Sequence, residues 1–335
     1  RLMSKIMNEA SDFVDQSLAG IVAANPNDLA LCETSRRSVV RAGQAKGDGK
    51  VAIVTGGGYG HLPVFLGYVG QGMCDGCAAG NVFTSPSAEA IVECARQADR
   101  GAGVLFLFGN YMGDSMNFDM ASELLEFDDI QTRLVKCSDD VASLPRERWQ
   151  ERRGVSGIFF AYKLVGAYAE QGHSLDEVAD FARRVTENVS TFGFATSSCQ
   201  IPGEKTTVFQ IGEDETELGM GIHGEPGVER AGKMTSAELA AYLVPRLVAD
   251  QGLAAGDKIA VLVNSLGATC EEELYVLYAD VKQLLDQAGI DVNRVFVGRY
   301  GTSMEMAGAS LSFLKMEDDF SEYLNAPAST PFMRF

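Results

Sequence analysis

The sequence predicts an α/β protein of two domains, each a mostly parallel or mixed sheet flanked by helices. Three observations predict it. Short apolar runs rich in β-branched or aromatic residues recur at Val51-Ala52-Ile53-Val54, Val104-Leu105-Phe106-Leu107-Phe108 and Lys258 to Val263, the pattern of strands buried on both faces. Between them lie segments with apolar residues at helical spacing. Several strands also run straight into glycine-bearing turns, the layout that places ligands at the carboxyl edge of an open sheet. At 335 residues the chain is long enough for two ordinary domains.

In chain order, Ser4 to Ala24 carries Ile6, Met7, Ala10, Phe13, Val14, Leu18, Ile21 and Val22 at steps of three and four, an amphipathic helix that Asn25-Pro26 ends. A polar loop follows to Gly49. The strand at Val51 to Val54 feeds the glycine loop Gly56-Gly57-Gly58-Tyr59-Gly60-His61, and a helix is expected at Pro63 to Val69. Ser85-Pro86 reads as a helix start with Ser85 as cap. The strand at Val104 to Phe108 leads into Gly109-Asn110-Tyr111-Met112-Gly113-Asp114. Asp114 then shares a crevice with His61, a role compatible with capping a helix over Ser115 to Leu125. Leu134 to Lys136 is a strand. Ser138-Asp139-Asp140 reads as a solvated turn, and the charged run Arg146 to Arg153 as a surface connection. Phe159 to Glu170 is a helix, His173 an exposed residue at a break, and Ser174 the cap of a helix reaching about Asn188.

The domain boundary is placed there, giving 1–188 and 189–335. In the second part Thr207 to Ile211 reads as a strand, Gly212 to Glu217 as an acidic turn, and Thr235-Ser236-Ala237-Glu238 as a capping box for a helix to Val248. A strand at Lys258 to Val263, a helix over Glu271 to Ala288 and strands at Arg294 to Val297 and Ser310 to Met316 complete the chain.

Net charge is −18, which excludes the basic footprint of nucleic-acid or anionic-membrane binding. No apolar run is long enough to cross a bilayer, and no secretory pattern is present at the N-terminus, where Met3 reads as an initiator; the expected location is cytoplasmic. Seven scattered cysteines suit a reduced interior. Cys74-Asp75-Gly76-Cys77 has CxxC spacing, but with no second pair or histidine pair it reads as packing, and no metal site is expected.

Two of the three histidines, His61 and His223, stand among glycines. His223 lies in Gly221-Ile222-His223-Gly224-Glu225-Pro226-Gly227, where Pro226 rules out a helix interior or a central sheet rung. A structural, satisfied histidine is the plainer reading; the repeated setting favours chemistry. The glycine loop fails the dinucleotide spacing, because the third glycine would fall at His61 or Pro63, and no Gly-Lys-Ser/Thr follows for a phosphate loop.

The combination Gly56-Gly57-Gly58-x-Gly60-His61, Gly67-Tyr68-Val69-Gly70-x-Gly72-Met73, Val82-Phe83-Thr84-Ser85-Pro86, Asn110-Tyr111-x-Gly113-Asp114-x-x-Asn117-Phe118, Gly221 to Gly227, Asn264-x-Leu266-Gly267-Ala268-Thr269 and Ala326-Pro327 resembles the K subunit of the dihydroxyacetone kinase family over essentially the whole chain. The resemblance implies that His223 bonds the carbonyl carbon of a short ketose, dihydroxyacetone or a four-carbon ketose such as erythrulose, as a hemiaminal. It implies Asp114 as the base for the ketose hydroxyl, His61 as a further acid/base residue facing the same ketose, and Gly58, Tyr59, Gly60, Ser85 and Gly109 as substrate-contacting positions. It places no cofactor on this chain: Mg-ADP or Mg-ATP sits on a separate L subunit, recharged in one branch by a phosphotransferase relay protein. A homodimer is also implied. Tyr59, Leu62 and Gly109 depart from the common Ser, Glu and Lys, which leaves room for a second reading, a regulatory paralogue that binds the ketose and partners a transcriptional regulator.

Overall fold

The structure is a computed structural model that describes residues 5–44 and 47–335; Met3 and Ser4 lie outside the described residues. The chain forms two compact units. The first comprises the described residues up to Cys137, then Ala161–Val185 and Glu322–Phe335; the second comprises Ser138–Phe160 and Thr186–Ser321. The expected boundary near 188 falls close to one of these crossings, but the chain also crosses after 137, after 160 and after 321, where neither glycine nor proline marks the change.

In the first unit, α1 (Phe13–Ala24) precedes β1 (Leu29–Leu31), β2 (Ser38–Arg41), β3 (Ala52–Tyr59), β4 (Gly76–Val82), α2 (Ala88–Ala98), β5 (Val104–Gly109), α3 (Met112–Glu126) and β6 (Thr132–Cys137). The sheet order is β1-β2-β4-β3-β5-β6. The four strands β4, β3, β5 and β6 are parallel, with β1 and β2 antiparallel at one edge. The buried strands Ala52–Val54 and Val104–Phe108 meet α2 and α3 through Ile91, Ala95, Phe118 and Leu125. The helix α4 (Ile158–Glu170) starts in the second unit and ends in the first, and α5 (Leu175–Glu187) follows. Ser174 and Glu177 cap α5 reciprocally.

In the second unit, β7 (Val189–Ala195), β8 (Glu215–Leu218), β9 (Glu229–Gly232), β10 (Lys258–Ser265), β11 (Asp291–Gly298) and β12 (Gly308–Lys315) form a sheet of order β11-β10-β12-β7-β8-β9, with α6 (Ser236–Asp250) and α7 (Glu271–Gln287) between strands in sequence; the last helix, α8 (Phe320–Asn325), starts in the second unit and ends in the first. Only β10 and β11 are parallel. The Thr235/Glu238 capping box opens α6 as expected. Leu243, Leu247, Leu277 and Val281 of α6 and α7 pack on Val261, Val263, Leu311 and Phe313.

Several expectations are corrected. The first helix begins at Phe13, not Ser4, and Ile6 is fully exposed. The polar stretch to Gly49 contains two short strands. Gly56 to Tyr59 is not a loop but the end of β3, and Pro63 to Val69 holds only a 3-10 turn, Leu66–Tyr68. The cap of α2 is Ser87, whose Oγ accepts from the Ala90 N–H, not Ser85. Thr207 to Ile211 is irregular; the strand lies in the acidic segment that followed it. His173 is half-buried, stacked on Tyr168 at 3.8 Å.

Two corrections concern buried charge. Ser138, Asp139 and Asp140 are buried, not solvated. Asp139 accepts from the Val155 and Gly157 N–H groups at 2.8 and 2.9 Å, which satisfies donors at the start of α4. Arg152, in the run read as surface, is 1% exposed and gripped bidentately by Asp250 at 3.0 and 2.6 Å. The CxxC segment packs as expected: Cys74 and Cys77 are buried and unbonded, and burial pushes both thiols up. Between them the buried Asp75 accepts from Lys50 at 2.7 Å, the Ile53 N–H at 2.8 Å and Arg41 at 3.0 Å, a carboxylate fully compensated by its partners.

Candidate active site

The first unit gathers its candidate residues at the carboxyl ends of the parallel strands β3, β4 and β5. The run Gly56-Gly57-Gly58 is there for packing. A Cβ on Gly57 would lie 2.1 Å from the Phe65 ring, one on Gly56 2.5 Å from the Ala78 carbonyl oxygen, and one on Gly58 2.7 Å from the Thr84 nitrogen. The glycines let Phe65 and the chain after β4 close on β3. Gly60, at φ +102°, then turns the chain into His61. His61 is fully buried, stacked on Phe83 at 4.9 Å with Phe65 edge-on at 6.3 Å. Phe83 has φ +59°, an uncommon backbone for a bulky residue, and its N–H donates to the Tyr59 carbonyl at 3.0 Å. The Tyr59 hydroxyl is hydrogen-bonded to Ser17 of α1, and burial pushes its phenol up.

Gly109 ends β5, and the turn after it sets Asp114 in the first turn of α3. Asp114 is 4% exposed, at the end of the helix whose dipole favours negative charge. Ser85 is half-buried; a Cβ on Gly113 would lie 2.7 Å from its Oγ, so the glycine lets the hydroxyl approach the start of α3. His61, Asp114, Ser85, Gly58, Tyr59, Gly60 and Gly109 thus all belong to one strand edge of one unit.

The second unit supplies His223 from the turn after β8. The Gly224 N–H donates to the Gly221 carbonyl at 3.0 Å, and the Gly221 N–H to the Glu225 carbonyl at 3.1 Å. Gly224 has φ +81°, and Ser303 Oγ donates to the Ile222 carbonyl at 2.5 Å. His223 is held by a residue to which the sequence reading gave no role. Glu225 Oε1 lies 2.9 Å from His223 Nδ1, and its Oε2 accepts the His223 N–H at 3.0 Å. A Cβ on Gly221 would lie 2.1 Å from Oε2, so the glycine makes room for the carboxylate. Burial acts to raise the Glu225 carboxyl, but the hydrogen bond and charge of His223 outweigh it and hold the group at about 2. An ionised carboxylate only accepts, so Nδ1 carries the hydrogen of this bond and Nε2 is the ring nitrogen turned away from Glu225. The signal for this pair, a glutamate two residues beyond the histidine within one glycine-edged turn, was present in the sequence.

Beneath the turn, Arg153 donates to Asp140 at 2.9 Å and to the Gly219 carbonyl at 3.1 Å, tying the start of the loop to the buried acidic segment. Burial, with Asp139 adding to it, pushes Asp140 up to about 7 against the pull of Arg153. Among the described residues no group of three or more His, Cys, Asp or Glu side chains is arranged to hold a metal ion, and no helix is long and apolar enough to cross a membrane.

Fold and site together define an α/β protein that presents a carboxylate-oriented imidazole on a glycine turn and a buried aspartate and histidine at the edge of a parallel sheet. The chain belongs to the Dak1 family, whose domain matches residues 19–332. It is 44% identical to the PTS-dependent dihydroxyacetone kinase 1, dihydroxyacetone-binding subunit DhaK of Listeria innocua, over 98% of this chain and 99% of that one. It is 40% identical to the L-erythrulose kinase of Pectobacterium atrosepticum, over 99% of this chain but 56% of that protein, so it spans about half of that relative's length. Among solved structures it matches the dihydroxyacetone kinase operon co-activator Dha-DhaQ with a TM-score of 0.87 and 32% identity, over 96% of this chain and 97% of the other.

Proposed function

We propose that this chain is the ketose-binding subunit of a short-chain ketose kinase and that His223 holds the substrate covalently. The observation that carries the reading is the His223–Glu225 pair at 2.9 Å. With Nδ1 protonated and facing a carboxylate, Nε2 is the nucleophile. It attacks the ketone carbon, the C–N bond forms, and the carbonyl π pair moves to oxygen. The Nδ1 proton leaves by way of Glu225 to solvent and the alkoxide takes up one proton from solvent; the sum is a neutral hemiaminal with no loss of water, and Glu225 ends as the carboxylate it began as. Polyols such as glycerol have no carbonyl and are refused.

The bond fixes the terminal hydroxyl for in-line transfer, where positioning carries most of the catalysis. Asp114 accepts the hydroxyl proton as attack begins, and His61 serves as a further acid/base group. Ser85 and the backbone around Gly58, Gly60 and Gly109 contact the ketose. Tyr59 shapes the site through its ring, because its hydroxyl is engaged by Ser17. The donor phosphoryl group comes from a nucleotide on a separate subunit. Dihydroxyacetone and erythrulose are the candidate substrates, and both kinds of kinase appear among the relatives.

Reconstitution with an L-type subunit and Mg-ATP, or with the phosphotransferase relay, tests the reading: phosphorylation of dihydroxyacetone or erythrulose but not of glycerol is expected. Ketose binding without turnover under both donors would instead favour the regulatory reading, which the likeness to the operon co-activator supports.

A further inference from the structure

The outer face of α3 is apolar where a surface helix is ordinarily polar. Met112, Met116, Met120, Leu124 and Phe127 recur at steps of four, four, four and three, and all are exposed, Met112 at 81% and Phe127 at 88%. At 100° per residue they span one stripe along the whole helix, opposite Phe118, Ala121 and Leu125, which face the core. This is the i, i+4 anchor pattern by which one helix reads another, and methionine, unbranched and polarisable, adapts to varied partners. An exposed apolar strip of this length marks a contact surface. On one side the stripe is bordered by Asp119, Glu123 and Glu126, all exposed. On the other, Leu124 and Phe127 line a groove of about 840 Å³ against α2.

The acidic border decides the occupant. In an antiparallel twofold pairing of α3 with a second copy, like edges meet, so Asp119, Glu123 and Glu126 would face their own equivalents. The chain's net charge of −18 adds to that repulsion. We propose that the α3 stripe is a docking surface for a different protein, which presents a helix with an apolar face edged by Lys or Arg. The inference does not depend on the kinase reading, since neither the stripe nor its acidic border includes a residue of the proposed chemistry.

The test uses a labelled amphipathic helical peptide with a leucine stripe edged by lysines, and a twin in which glutamates replace the lysines. Fluorescence anisotropy with the full chain should show binding of the lysine peptide and none of the twin. Met116→Ser/Met120→Ser, which leaves every charge in place, should weaken binding at least tenfold. Asp119→Lys/Glu123→Lys should transfer the preference to the glutamate twin, a result that stands even if the serine variant folds poorly. Equal binding to the wild type and the serine variant would show attraction by charge alone and overturn the proposal. So would absence of binding, or sedimentation showing that the serine variant turns a wild-type dimer into a monomer, which would make a second copy the occupant.

Discussion

Replacing Glu225 by Gln keeps the side chain's size and removes its charge from His223. In the folded protein the carboxyl drops from 4.5 to about 2, and 2.5 × 1.36 gives about 3 kcal/mol in favour of the carboxylate. The side chain is 29% exposed, so solvent screening reduces the part available to the imidazole to about 1.5 kcal/mol. That interaction grows as the ring develops positive charge on attacking the ketone. Glu225→Gln should therefore weaken ketose binding about tenfold at pH 7, measured by isothermal titration calorimetry with dihydroxyacetone and erythrulose. The sign of the pH effect follows from the depressed value. The contribution to stability is complete above the unfolded glutamate value of about 4.3 and is lost as pH falls towards about 2. The difference in urea stability between wild type and variant should be constant above about pH 5 and shrink below it. Unchanged ketose affinity in Glu225→Gln, or a stability difference that grows on acidification, would refute the reasoning.

Three further outcomes are expected. Asp114→Asn should retain ketose binding by calorimetry while phosphoryl transfer in the reconstituted system falls at least a hundredfold, as for loss of a general base. Arg152→Met breaks a buried ion pair and leaves Asp250 without its bidentate partner, so urea denaturation should show a loss of about 3–5 kcal/mol. Gly57→Ala drives a methyl to within 2.1 Å of the Phe65 ring, and the resulting overpacking should cost about 1–3 kcal/mol in the same assay.

The fold class was legible because the central strands are continuous apolar runs and the long helices carry capping residues; α6 and its Thr235 cap were read almost to the residue. The shortest strands were not. Leu29–Leu31 and Ser38–Arg41 are too short to show alternation, and Glu215–Leu218 is hidden in an acidic segment. The glycine run reads as a loop in sequence because glycine ordinarily marks turns; in the fold it marks close packing in a strand, against Phe65, the Ala78 carbonyl and the 83–84 backbone. Asp139, Asp140 and Arg152 read as surface residues in sequence because charge usually lies there. Their partners, Val155, Gly157, Arg153 and Asp250, are 13 or more residues away in sequence and invisible to local pattern. The candidate residues were found through glycine-rich context and family motifs, whereas the residue that orients His223 stood inside the motif without a role.

The most direct test of the covalent claim is a carbon-13 spectrum of dihydroxyacetone labelled at its carbonyl carbon, recorded with the protein in excess. The account predicts that the ketone resonance gives way to a bound signal in the tetrahedral range, that intact-mass spectra gain the full mass of the ketose without loss of water, and that both are absent in His223→Ala. A bound ketose whose carbon keeps its ketone shift, or an adduct that survives in His223→Ala, would contradict it.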